Sequence, residues 1–203
     1  MFVTLEGIDR SGKTTQAALL ADALGPDTVR LREPGGTGVG ERIRDLLKDP
    51  EIELDPGAEL LLFCAARKEL AVRVIGPAKE AGRDIVCDRF IDSTAAYQGV
   101  ARGLGLDVVE QLNSFAIGEC LPDVTVLLRI DPGAAEDRSQ QRLAEGAEDG
   151  SDRFESEGIE LQRAVAAAYD ELAERHPDRI EVVDGNGTPA EVHQRVLEVV
   201  RSR

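Results

Sequence analysis

Residues 7–14 carry the residue types needed to bind a chain of phosphates. They read Gly-Ile-Asp-Arg-Ser-Gly-Lys-Thr and match the pattern Gly-x-x-x-x-Gly-Lys-Ser/Thr in full. In such a loop the glycines let backbone N–H groups turn towards phosphate oxygens, and the following helix adds the positive end of its dipole. We expect Lys13 to reach the outer phosphates and the Thr14 hydroxyl to ligate Mg²⁺. The predicted nucleotide-binding residues are Gly7, Ile8, Asp9, Arg10, Ser11, Gly12, Lys13, Thr14 and Thr15.

A phosphate-binding loop alone does not distinguish kinases from GTPases, ATPases or transporter motor domains. A GTPase also needs an Asn-Lys-x-Asp segment that reads guanine, and the sequence has no Asn-Lys pair. The segment 184–187 fits Asp-x-x-Gly, but it lies near the C-terminus, in the wrong chain order for a GTPase switch. We therefore interpret that segment as a turn.

Two later stretches carry side chains that could hold a second ligand. Phe63 and Arg67 are four residues apart, so on a helix they share a face. A ring beside a guanidinium can stack on a pyrimidine and donate to its carbonyl edge, although a core aromatic beside a surface charge is the alternative. Asp88 and Arg89 follow an apolar run, at the sheet edge where open α/β folds bind ligands. An ordinary surface ion pair is the alternative there.

These stretches closely resemble motifs of the thymidylate kinase family. Residues 33–37 match its Glu-Pro-Gly-Gly-Thr, residues 62–67 its Leu-Phe-x-Ala-x-Arg, and residues 88–98 its Asp-Arg-Tyr-x-x-Ser-x-x-Ala-Tyr-Gln, with Phe90 in place of the frequent Tyr. With residues 7–14 and 152–155, five motifs stand in the family's order. The resemblance implies phosphorylation of dTMP to dTDP with Mg-ATP, a step in dTTP synthesis. A deoxynucleoside kinase, another pyrimidine monophosphate kinase and a non-catalytic nucleotide-binding regulator are the alternatives.

The resemblance also implies residue roles. Phe63 would stack on the base, Arg67 would bind its edge, and Arg89 would clamp the acceptor phosphate. Asp88 would join Thr14 at Mg²⁺, and Tyr97 would exclude a 2′-hydroxyl. The implied acceptor contacts are Asp9, Phe63, Arg67, Arg89, Ser93, Tyr97 and Gln98.

Three arginines flank a polar segment that lacks periodicity. Arg138 and Arg142 are four residues apart on a helical pattern, and Arg153 follows the Gly- and acid-rich residues 144–152. We expect a short mobile lid over residues 138–153 that brings cations to the phosphates, with Arg138 on ATP; solvated helix charges are the alternative. Since Arg10 lies in the phosphate loop as well, the sequence leaves open which arginine dominates. The predicted catalytic set is Lys13, Arg10, Arg89, Arg142 and Arg153.

Strand-like and helix-like segments alternate along the chain and must position these residues. This alternation predicts a three-layer α/β fold of the P-loop kinase type, a five-stranded parallel sheet flanked by helices in one domain over residues 1–203. The predicted strands are 2–6, 28–32, 84–87, 124–130 and 179–183. The predicted helices are 14–24, 39–47, 56–81, 92–100, 107–120, 134–143, 155–174 and 189–201.

Composition limits the partners. The 203 residues carry a net charge of −15, which disfavours nucleic acid and anionic membranes. The apolar runs are too short to span a bilayer, and Cys64, Cys87 and Cys120 have the spacing of buried residues rather than of a disulfide framework or zinc site. We expect a cytoplasmic protein. The family resemblance adds the expectation of a homodimer, for which the segment 115–117 is a candidate surface or equally a part of the core.

Overall fold

The central element is a parallel five-stranded sheet, as the sequence predicts. The structure, a computed structural model, describes residues 1–137, 153 and 158–203. The strands run in the order β2-β3-β1-β4-β5, and each neighbouring pair is parallel. Their bounds are β1 (Phe2–Glu6), β2 (Val29–Arg32), β3 (Ile85–Asp88), β4 (Val124–Arg129) and β5 (Ile180–Asp184).

Helices cover both faces of this sheet. They are α1 (Lys13–Leu24), α2 (Gly38–Lys48), α3 (Pro56–Leu70), α4 (Gly76–Glu80), α5 (Ile91–Thr94), α6 (Leu106–Ile117), α7 (Gly158–Arg175) and α8 (Pro189–Arg201). A π-helical turn (Ala71–Ile75) joins α3 to α4, and a second one (Ala95–Ala101) continues α5. Residues 132–137 are helical as well, and the remainder of the helix predicted at 134–143 lies outside the described residues.

The main departure from the predicted elements is this π-helical geometry. Residues 56–81 were expected to form one α-helix, and residues 92–100 another. Each segment is helical but contains a wider turn, in which hydrogen bonds close five residues back and one extra residue is accommodated. Hydrophobic spacing does not reveal such a turn. The second turn carries Tyr97 and Gln98, and π-turns concentrate at functional sites.

Side-chain alternation in β1 divides the core between the two faces. Val3 and Leu5 pack in a cluster with residues of α1 and α8, whereas Phe2 packs on the other face with Leu70 and Ile85. Thr4 is fully buried, and its hydroxyl lies 2.8 Å from the Thr125 hydroxyl. The sheet is thus covered on both sides, which confirms the three-layer architecture.

Local caps fix where several helices begin. The Thr37 hydroxyl accepts from the Gly40 amide at the start of α2, and the Asp55 carboxylate accepts from the Gly57 amide at 2.8 Å at the start of α3. Thr188 and Glu191 form a reciprocal capping box at α8. The caps at Thr37 and Thr188 end the loops that follow β2 and β5, and residues of both loops line the same cavity as the phosphate loop.

Candidate active site

The phosphate loop turns between β1 and α1 through two glycines whose φ angles are positive. Gly7 has φ 144°, and a Cβ there would come within 2.7 Å of the Leu128 carbonyl oxygen. Gly12 has φ 94° and directly precedes α1, whose first residue is Lys13. The N–H groups at the start of α1 therefore face the loop, as an anion site requires.

A cavity of about 820 Å³ opens beside this loop. Among the described residues, seven cationic side chains line it against three acidic ones, Asp9, Glu33 and Asp88, although the whole chain carries −15. The local reversal of charge fits ligands that carry several phosphates. The cations are Arg10, Lys13, Arg32, Arg44, Lys48, Arg67 and Arg89.

Most predicted site residues meet in this one cavity. Those that line it are Asp9, Arg10, Ser11, Gly12, Lys13, Thr14, Thr15, Phe63, Arg67, Asp88, Arg89, Ser93, Tyr97 and Gln98. Gly7 and Ile8 belong to the loop but do not line the cavity. The Ile8 carbonyl accepts from Lys13 Nζ at 2.9 Å, and the Gly7 carbonyl accepts from Arg89 at 3.3 Å. Arg138 and Arg142 lie outside the described residues.

Lys13 is held close to a carboxylate inside the loop. Its Nζ lies 3.6 Å from Asp9 Oδ1, and the residue is nearly fully buried. Burial, and then the neighbouring charge of Arg89, lower the pKa of Lys13 to about 8. A bound polyphosphate would favour the protonated lysine, because opposite charges stabilise each other in a poorly solvated site.

Arg89 joins the phosphate loop to α5 and the second π-turn, a segment that we call the acceptor helix after its predicted role. One guanidinium nitrogen donates to the Ser93 hydroxyl at 3.1 Å, and the other donates to Asp9 and to the Tyr97 hydroxyl, the latter at 3.4 Å. The guanidinium carbon also lies 5.3 Å from the centre of the Tyr97 ring. Arg89 has a positive φ of 68°, an uncommon backbone conformation for a side chain of this size.

Asp9 is fixed by hydrogen bonds with Gln162, Tyr97 and Arg89. Gln162 of α7 accepts from the Asp9 amide at 3.0 Å and donates to its carboxylate at 2.9 Å, and the Tyr97 hydroxyl donates at 3.2 Å. Burial alone would raise the pKa of Asp9, but the charges of Arg89 and Lys13 outweigh it and hold that pKa well below its usual value. Asp9 is therefore an ionised acceptor in the cavity. The sequence did not reveal Gln162, because it lies 153 residues away.

Thr14 and Asp88 lie together where Mg²⁺ is predicted. The Thr14 hydroxyl donates to Asp88 Oδ2 at 2.5 Å, and Asp88 Oδ1 is buried without a hydrogen-bond partner. A hydroxyl and a carboxylate are hard oxygen donors, and Mg²⁺ in kinase sites takes one or two such groups together with substrate phosphates. The described residues contain no cluster of three or more His, Cys, Asp or Glu that could hold a metal by themselves. The pair fits a metal ion shared with a nucleotide.

The two residues of α3 that are predicted to bind the base differ in burial. Phe63 and Arg67 both line the cavity, yet the side chain of Arg67 is only 1% exposed. Arg67 donates to Glu33 at 2.6 Å, to Thr94 at 2.7 Å and to Asn113 at 2.6 Å. Burial, opposed by Arg67, raises the pKa of Glu33 to about 7. A buried network thus fixes Arg67 at the cavity wall, and the sequence prediction missed both Thr94 and Asn113.

Ser93 and Gln98 line the cavity but are held by buried carboxylates. The Ser93 hydroxyl donates to Glu6 Oε2 at 2.6 Å, and Gln98 Nε2 donates to Glu59 Oε1 at 2.6 Å. Tyr169 of α7 also donates to Glu6, at 2.8 Å. Burial raises the pKa of Glu6. Glu6 and Glu59 carried no sequence signal, since each acts on residues far along the chain.

Arg153 is not among the cavity-lining residues. Its guanidinium donates to Glu59 Oε2 at 2.5 Å and to the Leu47 carbonyl at 3.0 Å, and its amide donates to the Lys48 carbonyl at 3.3 Å. The expected contact between Arg153 and phosphates stays a prediction, and the geometry instead ties this residue to α2 and α3.

The loop after β5 closes the other end of the cavity. Gly185, Gly187 and Pro189 line it, and Gln16 Nε2 of α1 donates to the Pro189 carbonyl at 2.9 Å. The turn at 184–187 therefore borders the cavity.

No helix among the described residues is long and apolar enough to cross a membrane. The cysteines at 64, 87 and 120 are buried free thiols, in line with their predicted packing role.

Comparisons with known proteins agree on one family. Residues 5–196 match the family model described as "Thymidylate kinase". The thymidylate kinase of Syntrophotalea carbinolica is 47% identical over 96% of this chain and 92% of its own length, and that of Desulfosudis oleivorans is 45% identical over 97% and 94%. A crystal structure of thymidylate kinase from Ehrlichia chaffeensis, 34% identical, superposes with a TM-score of 0.78 over 98% of each chain. With its sheet order, phosphate loop and acceptor residues arranged around one cationic cavity, this chain belongs to the thymidylate kinase family.

Proposed function

We propose that this chain transfers the γ-phosphoryl group of ATP to the phosphate of dTMP, giving dTDP and ADP. The position of Arg89 carries this proposal. Its guanidinium contacts Asp9 and the Gly7 carbonyl of the phosphate loop, and also Ser93 and Tyr97 of the acceptor helix. An acceptor phosphate held by Arg89 lies next to the loop that binds the donor phosphates, so the two reacting groups meet.

The transfer needs no nucleophile from the protein. The attacking atom is a phosphate oxygen of dTMP, which is mostly a dianion near neutral pH. Catalysis then depends on alignment and on cations around the transferring group. Lys13, Arg10 and Arg89 supply positive charge in the described cavity, and we propose that Arg138 and Arg142 add to it.

The metal site is proposed on the Thr14 and Asp88 pair. These two side chains would hold Mg²⁺, directly or through its water shell, and the ion would supply charge that neutralises the β- and γ-phosphate oxygens. The unpartnered Asp88 Oδ1 supports this placement.

Selection of a thymine deoxynucleotide is proposed for the end of the cavity formed by α3 and the second π-turn. Phe63 offers a ring for stacking, and Arg67 is fixed in place by Glu33, Thr94 and Asn113. A fixed donor favours one pattern of carbonyl groups, because side-chain freedom is already lost before the base binds. Tyr97 lines the cavity with its hydroxyl donating to Asp9, and we propose that its ring excludes a 2′-hydroxyl.

A panel of acceptors tests the proposal. ADP release should be fast with dTMP, much slower with UMP or CMP, and absent with thymidine, which has no phosphate for Arg89. Equal rates with a ribonucleotide would reject the thymine deoxynucleotide assignment, and faster turnover of thymidine would indicate a deoxynucleoside kinase. ATP binding without turnover of any acceptor would indicate a regulator.

We also propose a homodimer formed by α3, its π-helical extension and α6. Leu61 and Val72 are more than half exposed, and Phe115 is 77% exposed while Ala116 and Ile117 beside it are buried. Apolar side chains on one surface are costly to leave in water. Light scattering should give twice the chain mass, and Phe115→Glu should shift the measured mass to that of the monomer.

We also propose that the protein is cytoplasmic. This compartment supplies ATP and keeps thiols such as those of Cys64, Cys87 and Cys120 reduced.

A further inference from the structure

A buried carboxylate, Glu59, lies outside the proposed chemistry but connects several parts of the site. It is in the first turn of α3 and only 1% exposed. An ionised carboxylate in such a position is costly unless cations and hydrogen bonds satisfy both oxygens. Three side chains from two distant segments satisfy it here.

The two oxygens of Glu59 face different segments. Oε1 accepts from Gln98 Nε2 at 2.6 Å and from Arg102 Nε at 3.4 Å, both on or next to the second π-turn. Oε2 accepts from Arg153 at 2.5 Å. One carboxylate therefore joins Gln98, a cavity-lining residue of the acceptor side, to Arg153.

Arg153 is fixed by more than this ion pair. Its Nε donates to the Leu47 carbonyl at 3.0 Å, and its amide donates to the Lys48 carbonyl at 3.3 Å. These are the last residues of α2, where backbone carbonyls lack helical partners and a cation is favoured by the helix dipole. Leu47 and Lys48 also line the cavity.

We propose that Arg153 is a positioning residue: with Glu59 it links the end of α2 to the acceptor side of the cavity and, through Glu59, holds Gln98 for dTMP. In this role its guanidinium donates to Glu59 and to the Leu47 carbonyl instead of touching the transferring phosphoryl group. The inference rests on the proposed transfer to dTMP and assigns to Arg153 a role different from the catalytic contact expected from sequence.

Binding of dTMP without ATP separates the two roles. A positioning residue acts on the acceptor side before the donor arrives, whereas a lid arginine that meets ATP phosphates has no target in the binary complex. We expect Arg153→Met to weaken dTMP binding, measured by calorimetry, by roughly five- to tenfold, which lies within the range of coupling between contacting residues. Arg153→Lys should recover part of the loss, because the charge beside Glu59 is kept.

Glu59→Gln is the matched partner variant. The amide can still accept from Gln98 through its oxygen, but its NH₂ group then faces Arg153, where two donors oppose each other. Glu59→Gln and Arg153→Met should weaken dTMP binding by similar factors, and the double variant should lose no more than the worse single variant. Arg163→Met, at the exposed ion pair with Glu160, is the control and should bind dTMP normally.

Melting curves verify that each variant is folded, and a global loss of folded protein would lower kcat without raising the Kd for dTMP. Three results would overturn the inference while wild-type turnover of dTMP remained normal. In the first, Arg153→Met binds dTMP normally and loses only kcat. In the second, Arg153→Met has normal dTMP binding and normal kcat. In the third, the double variant loses dTMP binding by the product of the two single losses. Failure of the wild type to bind or turn over dTMP would instead reject the proposed function.

Discussion

Replacing Arg89 by Met should abolish most of the transfer to dTMP while the protein remains folded. The change removes the charge and the donors but keeps an unbranched side chain of similar length. Asp9 keeps its contacts with Gln162 and Tyr97 and its 3.6 Å approach to Lys13, so it is not left as an unpaired buried charge. We therefore expect the melting temperature to fall by only a few degrees.

The expected loss follows from the contacts that Arg89 can offer. A hydrogen bond to a charged group contributes about 1.5–3 kcal/mol, and a guanidinium can give a phosphate two of them, about 3–6 kcal/mol in total. Arg89 already donates to Ser93, Tyr97 and the Gly7 carbonyl, and exchange of these bonds for phosphate bonds reduces the net gain. We expect the lower half of the range, a loss of roughly 10² to 10³ in kcat/KM for dTMP.

Steady-state ADP release with varied dTMP gives this ratio, and calorimetry gives the Kd for dTMP. Both KM and kcat should change, since one clamp holds the phosphate in the ground state and in the transition state. The KM for ATP should change far less. Arg83→Met is a suitable control, because Arg83 is exposed and donates to the Asp27 carbonyl rather than to a cavity residue. A loss below about tenfold with unaltered dTMP binding would refute the assignment of Arg89 as the phosphate clamp.

Three further predictions concern pH, the sugar and salt. The pKa of Lys13 is lowered to about 8, so the lysine loses its charge as pH rises through that value. The ratio kcat/KM for ATP should therefore fall above pH 8, while kcat at saturating ATP stays level to higher pH. A kcat/KM for ATP that does not change with pH would contradict this. Tyr97→Phe removes the hydroxyl that donates to Asp9 but keeps the ring, so kcat/KM for dTMP should fall roughly five- to tenfold while discrimination against a 2′-hydroxyl persists. Tyr97→Ala removes the ring as well and should relax that discrimination. Equal selectivity in both variants would show that the ring does not set the discrimination. Since the chain has a net charge of −15, 1 M KCl should screen the repulsion between its acidic groups and raise the melting temperature by several degrees over low-salt buffer. An unchanged or lower melting temperature would show that this repulsion does not limit the stability of the fold.

Local signals in the sequence determined the fold class and the position of the phosphate loop. Alternating apolar strands and helical patterns require a parallel sheet covered on both faces, and the five observed strands match the predicted ones within about two residues. The loop at 7–14 is a backbone conformation encoded by its own glycines and by the helix that follows, so consecutive residues suffice to predict it. The acceptor residues were identified through family motifs, and the structure brings them to the same cavity.

Only the tertiary structure decided which partners hold those residues. Periodicity shows that Arg67 shares a helix face with Phe63, but not that Glu33, Thr94 and Asn113 bury it. The π-turn at 95–101 likewise leaves no mark in hydrophobic spacing. Such features depend on which segments the sheet order places side by side.

The two carboxylates Glu6 and Glu59 illustrate the physical reason. In the sequence Glu6 ends a predicted strand and Glu59 lies in the first turn of a predicted helix, and solvent exposure is the usual outcome for glutamate. In the fold each is nearly fully buried and accepts hydrogen bonds from residues between 39 and 163 positions away. A buried charge is stable only if the complete three-dimensional set of donors surrounds it, and no local stretch of sequence contains that set.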